Sequence, residues 1–155
     1  MQAVTREPLS VRATQAAARQ WPVLLPFDHR VEWEMLVQAR PNLLLDGSTS
    51  DTSAMLSALK PHLRQPIIQY DPNTGGPVPQ PKEGTLVLVG VDKLGTNQQK
   101  QMLRWLNQFN DRAPVQVVST TSEPLFSMVE AGAFLDNLYY RLNIVRIDLA
   151  TSSYS

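Results

Sequence analysis

The feature that most constrains this chain is a series of short, unbroken apolar runs: Asn42–Asp46 (NLLLD), Pro66–Tyr70 (PIIQY), Thr85–Val91 (TLVLVGV), Val115–Thr120 and Ile144–Leu149. A strand covered on one face alternates apolar and polar residues, whereas a continuous short run fits a strand covered on both faces. Helical patterns separate these runs. Strand alternating with helix in this way argues for an α/β fold, a three-layer αβα sandwich around a five-stranded parallel sheet.

The intervening segments carry recognisable punctuation. Val31, Met35, Leu36 and Ala39 share one face of a helix over Arg30–Ala39, which Pro41 stops. Residues 47–53 (GSTSDTS) read as a loop of small residues, followed by a helix over Ala54–Leu59 that ends before Pro61. Residues 71–84 contain four prolines and three glycines and read as a loop. Thr96 and Gln99 form a capping-box pattern, and Met102, Trp105, Leu106 and Phe109 make an amphipathic stripe behind it. Ser122, Pro124 and Gly132 suggest the N-cap, early proline and terminal glycine of a short helix. Another helix is expected over residues 134–142. Ala16–Ala18 suggest a short helix that Pro22 and Pro26 break, and the ATSSYS tail is polar.

Composition excludes several functions. The 155 residues fit one domain able to bury its own core. Lysine plus arginine equals aspartate plus glutamate, 14 each, so no bulk positive field draws nucleic acid or an anionic membrane. The absence of cysteine removes disulfides, thiolate metal sites and cysteine nucleophiles. The N-terminus lacks the apolar core of a signal peptide, and no apolar run approaches the roughly 20 residues of a membrane span. A cytoplasmic protein without direct DNA or membrane binding is the expectation.

The most specific stretch is Gly132–Asn143, GAFLDNLYYRLN. It resembles the stretch G-x-F-R-x-D-L-Y-Y-R-L-N of bacterial sigma-54-dependent transcription activators, matching at Gly132, Phe134, Leu138, Tyr139, Tyr140, Arg141, Leu142 and Asn143. Gly84, Thr85 and Leu86 resemble the opening of that family's Walker B strand, and Gln99 and Met102–Leu106 the helix after it. Val117–Thr121 resembles its sensor I strand, and Leu43–Gly47 with the following loop its Walker A strand. The resemblance runs from about Leu43 to Leu149 and implies an AAA+ core. It divides the chain into an N-terminal extension (1–28), a degenerate AAA+ core (29–150) and a polar tail (151–155).

The same alignment implies that the chemistry is missing. A P-loop needs G-x-x-x-x-G-K-[ST], whose backbone cradles phosphate, whose lysine neutralises it and whose hydroxyl holds Mg²⁺. The aligned residues are Gly47, Ser48, Thr49, Ser50, Asp51, Thr52, Ser53 and Ala54. The second glycine is Thr52, the lysine is Ser53 and the metal hydroxyl falls on Ala54. Asp51 brings negative charge to the place of a phosphate and suits a helix N-terminus instead. The Walker B Asp-Glu pair is Val89 and Gly90, with Asp92 close behind as a solvated turn residue. The sensor I asparagine is Ser122, and the first arginine of the matched stretch is Leu135. Arg141 remains, either reaching a neighbouring subunit or pairing with Asp136 or Asp148. Where the family has a long insertion with a G-A-F-T-G-A loop that grips sigma-54, this chain has only Asp71–Glu83. It also stops at Ser155, before the family's helical lid; Met1 and the polar tail favour a short natural protein over a fragment.

Other constellations are sparse. His29 and His62 have no metal-ligand spacing, so no metal site is expected. No G-x-S-x-G elbow accompanies the serines. Trp21 and Trp33 are scattered, whereas Trp105 lies on a core stripe, and one of Tyr139 and Tyr140 should pack inside. The expectation is a non-catalytic regulatory or assembly module, binding a protein partner or itself, with no cofactor. The alternatives are a sensor that binds ATP or ADP with Mg²⁺ without hydrolysis and, third, an active ATPase.

Overall fold

The computed structural model describes residues 9–12, 38–109 and 114–149. The readings at Ala16–Ala18, Trp21, His29 and Trp33, the boundary at residue 28 and the polar tail lie outside the described residues. So does most of the Arg30–Ala39 helix, of which Gln38 and Ala39 are described and helical.

All five expected strands lie in one parallel sheet, joined by a sixth. In chain order the elements are β1 (Leu9–Arg12), β2 (Leu43–Asp46), α1 (Thr49–Leu59), β3 (Ile67–Tyr70), β4 (Gly84–Leu88), α2 (Thr96–Leu106), β5 (Val115–Thr121), α3 (Leu125–Glu130), α4 (Asp136–Leu142) and β6 (Val145–Asp148). The sheet order is β1-β6-β2-β5-β4-β3. The sixth strand, β1, runs beside β6 with Leu9 opposite Val145 and Arg12 opposite Asp148. Its four residues are too short a pattern to separate strand from loop by alternation.

Burial on both faces accounts for the continuous apolar runs. Along β2, Leu43 and Leu45 pack under α1 with Met55, Leu59, Val87, Val118 and Ile147. Leu44 points the other way, into a core shared with Leu86, Leu88, Met102, Trp105, Leu138 and Leu142. Successive side chains of a strand take opposite faces, so both must be apolar in a sheet covered twice. Helix α1 covers one face and α2, α3 and α4 the other. The Met102–Trp105–Leu106 stripe is buried as expected, and Phe109, just past α2, meets Trp105 edge-on at 5.5 Å. Tyr139 is buried, whereas Tyr140 is exposed.

Several boundaries differ from the sequence reading, most by a residue or two at an end. Residues 49–53 belong to α1, because Ser48 caps a helix that begins at Thr49: its Oγ accepts from the Asp51 N–H at 3.1 Å. Strand β4 ends at Leu88, since Gly90 takes a left-handed φ of 79° that no strand continues. The capping box of α2 is one residue earlier: Gly95 is the N-cap, and Gln98 Oε1 accepts from its N–H at 2.8 Å. Ser122 does not cap α3, whose N-cap position is Pro124, although Gly132 does follow the helix in a left-handed conformation. Gly84 opens β4 under a steric demand of its own. Its φ is 90°, and a Cβ there would fall 2.2 Å from the Pro66 carbonyl oxygen.

Candidate functional site at the carboxyl ends of the strands

In an open parallel sheet the ligand crevice lies beyond the carboxyl ends of the strands, where the connections diverge. Here β2 leads to α1 on one face, while its neighbour β5 leads to α3 and α4 on the other. A cleft of about 320 Å³ opens there, between α1 and the ends of β3, β4 and β5.

The α1 wall belongs to the segment that the resemblance aligns with a phosphate-binding loop. Only Gly47 and Ser48 connect β2 to α1. Gly47 N–H donates to the Thr121 carbonyl at 3.0 Å, which fastens the connection to β5. Thr52 N–H donates to the Ser48 carbonyl at 2.9 Å, and Thr52 Oγ1 to the Thr49 carbonyl at 3.2 Å. The Gly47 N–H is thus committed to β5, and the Asp51 and Thr52 N–H groups to the first helical turn, so these three do not point at an external anion as in a phosphate nest. Thr49, Thr52, Ser53 and Lys60 present one face of α1 to the cleft. Gly47, Ser48, Ser50, Asp51 and Ala54 are not among its lining residues.

The second wall follows β4. Val89 and Gly90 stand in a turn at the strand end, and Gly90 N–H donates to Thr120 Oγ1 at 2.9 Å. A 3-10 turn over Val91–Lys93 comes next. Val91 enters the core on the α2 side, and Asp92 lines the cleft on the α1 side. The expectation that Asp92 is a solvated turn residue is therefore corrected: its side chain is 2% exposed. Its Oδ2 lies 3.3 Å from Lys93 Nζ, and its Oδ1 is buried with no hydrogen-bond partner among the described residues. Ser122, with Thr120 and Thr121, forms the third wall, and Gln69, Asp71 and Asn73 complete the rim.

Three charged groups, Asp46, Arg146 and Asp148, stand outside the cleft lining. Arg146 donates to Asp46 Oδ2 through Nη2 at 2.8 Å and lies 3.6 Å from Asp148. Burial raises the Asp46 pKa above its ordinary value, and the bond and attraction from Arg146 only partly offset this. Burial works against the Arg146 charge, but Asp46 and Asp148 together outweigh it and raise its pKa. The end of β2 is thereby clamped to β6 beside Gly47.

Arg141 lies elsewhere. Its Nη1 donates to Asn107 Oδ1 at 2.7 Å and its Nη2 to the Leu106 carbonyl at 2.6 Å, so it ties α4 to the carboxyl end of α2. The pairing expected with Asp136 or Asp148 gives way to this cap, which satisfies a terminal helix carbonyl. Among the described residues no group of three or more His, Asp or Glu side chains has metal-holding geometry.

Of the residues singled out in the sequence, Thr49, Thr52, Ser53, Val89, Gly90 and Ser122 line one cleft, together with Lys60, Asp71, Lys93 and an Asp92 whose burial the sequence did not point to. Sequence reasoning also read Gln99 as a cap and as a match to the family's helix, not as a buried anchor. Gln99 is buried and donates through Nε2 to the carbonyls of Leu94 (3.0 Å) and Ala133 (3.1 Å), while its Oε1 accepts from the Leu135 N–H (2.9 Å). A polar residue on the apolar side of an amphipathic helix was the available signal.

Comparison with known proteins agrees with this architecture. The family described as "Sigma-54 interaction domain" matches residues 62–151. The alginate biosynthesis transcriptional regulatory protein AlgB of Pseudomonas aeruginosa is 27% identical over 119 residues, 71% of this chain and 26% of that protein. The HTH-type transcriptional regulatory protein TyrR of Salmonella typhimurium is 27% identical over 120 residues, 72% of this chain and 22% of that protein. The chain thus spans about a quarter of the length of these relatives. Among solved structures, NtrX from Brucella abortus in complex with ATP superposes with a TM-score of 0.59 at 18% identity, covering 79% of this chain and 36% of that one. The P-loop NTPase domain of the Sigma-54 transport activator from E. coli superposes with a TM-score of 0.55 at 17% identity, covering 72% and 98%. These structural likenesses establish the P-loop NTPase fold. No helix among the described residues is long and apolar enough to cross a membrane.

Proposed function

Because this chain belongs to the sigma-54 interaction domain family, we propose that it serves transcription regulation as a protein-binding module that does not turn over ATP. The observation that carries this reading is the two-residue connection between β2 and α1. A P-loop encloses phosphate with an eight-residue signature, and here the residues aligned with most of it are wound into a capped helix.

The residues present do not fit Mg-ATP. Ser53 supplies no charge to a phosphate, and Thr52 places a side chain where the backbone must approach closely. Val89 and Gly90 offer neither a metal ligand nor a group to orient water, and the Gly90 N–H is held by Thr120. Phosphoryl transfer depends on positioning and charge stabilisation, and both are withdrawn together. Arg141 is occupied by an internal cap rather than reserved for a neighbour's nucleotide. What persists is the scaffold: a complete sheet and the packed Gly132–Asn143 stretch.

The partner under this reading is sigma-54 itself, another AAA+ subunit or a second copy of the chain. Contact with sigma-54 has to use a surface other than the usual inserted loop, because Asp71–Glu83 holds no G-A-F-T-G-A sequence. Residues 1–28 and 151–155 flank the core of residues 29–150 in this proposal.

Phosphate release from Mg-ATP, measured beside isothermal titration of Mg-ATP and Mg-ADP, tests the reading. Neither turnover nor saturable heat is expected. Turnover removed by an Asp92→Ala, Ser53→Ala double substitution would overturn it. A second reading, nucleotide sensing without hydrolysis, draws support from the Thr49 and Ser53 hydroxyls on the cleft wall. It requires a rise in melting temperature with millimolar ATP or ADP. Immobilised sigma-54 and sedimentation of the chain alone then separate hetero- from self-association.

A further inference from the structure

Strand β3 stands at one border of the sheet and, among the described residues, pairs with β4 alone. The bonds it makes there fix which of its backbone groups face outward. The Pro66 carbonyl accepts from the Thr85 N–H at 3.0 Å, and the Tyr70 carbonyl accepts from the Val89 N–H at 2.9 Å. Alternate residues of a strand turn their backbone groups to opposite sides, so Ile67 and Gln69 hold their N–H and C=O groups away from β4. Among the described residues no hydrogen bond meets these outward groups. Proline often blunts a border strand, but Pro66 belongs to the inward set, so its missing N–H removes no outward donor. Gln69 is exposed and Ile67 and Ile68 are half-buried, so the border is open.

These groups complement a second copy of themselves. Two β3 strands running antiparallel about a twofold axis at Ile68 set Ile67 of each copy opposite Gln69 of the other. In that register each such pair exchanges both of its N–H···O bonds, and every outward group is matched. Ile68 then meets Ile68 of the second copy as the closely spaced, non-bonded pair between them, which covers an apolar side chain that one copy leaves half-buried. The charges agree with this register. An antiparallel pair sets the start of one strand beside the end of the other. Arg64, exposed and without a salt bridge among the described residues, stands just before β3, and Asp71 follows it directly. A twofold axis therefore brings opposite charges together at both ends of the joint, which is the self-complementarity that an isologous interface requires.

We propose that β3 is a self-association edge: two copies of the chain join antiparallel through Ile67–Gln69 into one continuous sheet, with Arg64 of each copy beside Asp71 of the other. This names a second copy as a partner of the protein-binding module and rests on that reading.

Sedimentation equilibrium of the full chain from micromolar to millimolar concentration tests the joint, and a monomer–dimer equilibrium is expected. Gln69→Pro deletes an outward donor in each copy and should raise the dimer dissociation constant about tenfold or more. The melting temperature of the dilute variant records whether it folds, and a charge exchange carries the test if it does not. Arg64→Glu alone and Asp71→Lys alone each set like charges together and should dimerise less than the parent. Mixed in equal amounts they should dimerise again, because each copy then presents the charge that the other lacks. Low salt should widen that difference. A chain that is monomeric at every concentration overturns the proposal, as does a dimer that survives in a folded Gln69→Pro chain or that shows no recovery when the charge variants are mixed. A monomer that binds immobilised sigma-54, and loses that binding with Gln69→Pro, overturns the second copy as occupant and leaves the protein-binding reading standing. Phosphate release from Mg-ATP overturns that reading whatever the oligomeric state.

Discussion

On the side of the sheet covered by α2, α3 and α4, the residues that match the family stretch are spent on structure. Phe134, Leu138, Tyr139 and Leu142 fill the core, Gln99 binds three backbone groups, and Arg141 caps α2. At the carboxyl edge on the α1 side, the positions that would handle nucleotide carry hydroxyls, valine and glycine around a polar cleft. Under the proposed function, the contrast is between a scaffold that is kept and a site on the same sheet that is not. Packing on one face depends on volume and buried hydrogen bonds, while chemistry at the other edge depends on a few charges whose loss leaves the core untouched.

That contrast is open to direct measurement, and its largest consequence concerns Leu138, which is 0% exposed. Leu138→Ala should cost about 3 kcal/mol in urea denaturation through lost contacts and a residual cavity. A change below about 1 kcal/mol would mean the matched stretch is not the structural anchor described here. Next comes Gln99→Leu, which strands the Leu135 N–H and removes the donor to two carbonyls; about 2 kcal/mol is expected by the same assay. Ser48→Ala probes the other side. Loss of the N-cap of α1 should cost about 1 kcal/mol and leave partner binding intact. A Ser48→Ala chain as stable as the parent would imply that α1 does not begin at Thr49, and would return residues 49–53 to a loop.

The smallest effect is a slope with pH. Folding raises the Asp46 pKa above its ordinary 3.8, so the folded chain holds that proton to higher pH than the unfolded chain. The stability contributed by this group is full below the unfolded value and is lost as pH rises through the folded one. Asp46→Asn, which has no charge to lose, should gain on the parent over that interval in parallel melts. A gain in the opposite direction would show that Arg146 outweighs burial.

The strands were legible because burial on both faces writes itself as an unbroken apolar run, as at Leu43–Leu45 and Leu86–Leu88. The amphipathic stripe of α2 was legible for the same reason, with a helical period. The start of α1 was not, because Ser48–Ser53 are small hydroxyl and acidic residues that suit a phosphate loop and a capped first turn equally well. Only the hydrogen bonds of Ser48 choose between them. Asp92 was illegible for a different reason. A charged residue directly after an apolar run reads as solvated, and its burial follows from Val91 being drawn into the core beside it. The lining of the cleft by Lys60 and Asp71 depends on how far apart in sequence the elements are that meet there, which no local pattern carries.

The pairing of β1 with β6 has a consequence for the outline of the sheet. An outer strand with unmatched N–H and C=O groups is a template for another chain's strand. Leu9–Arg12 occupies that position along Val145–Asp148, the strand that also carries half of the Arg146 clamp. β1 therefore takes the outer border of the sheet over from β6, and it is the unmatched N–H and C=O groups of Leu9–Arg12 that a further strand would meet.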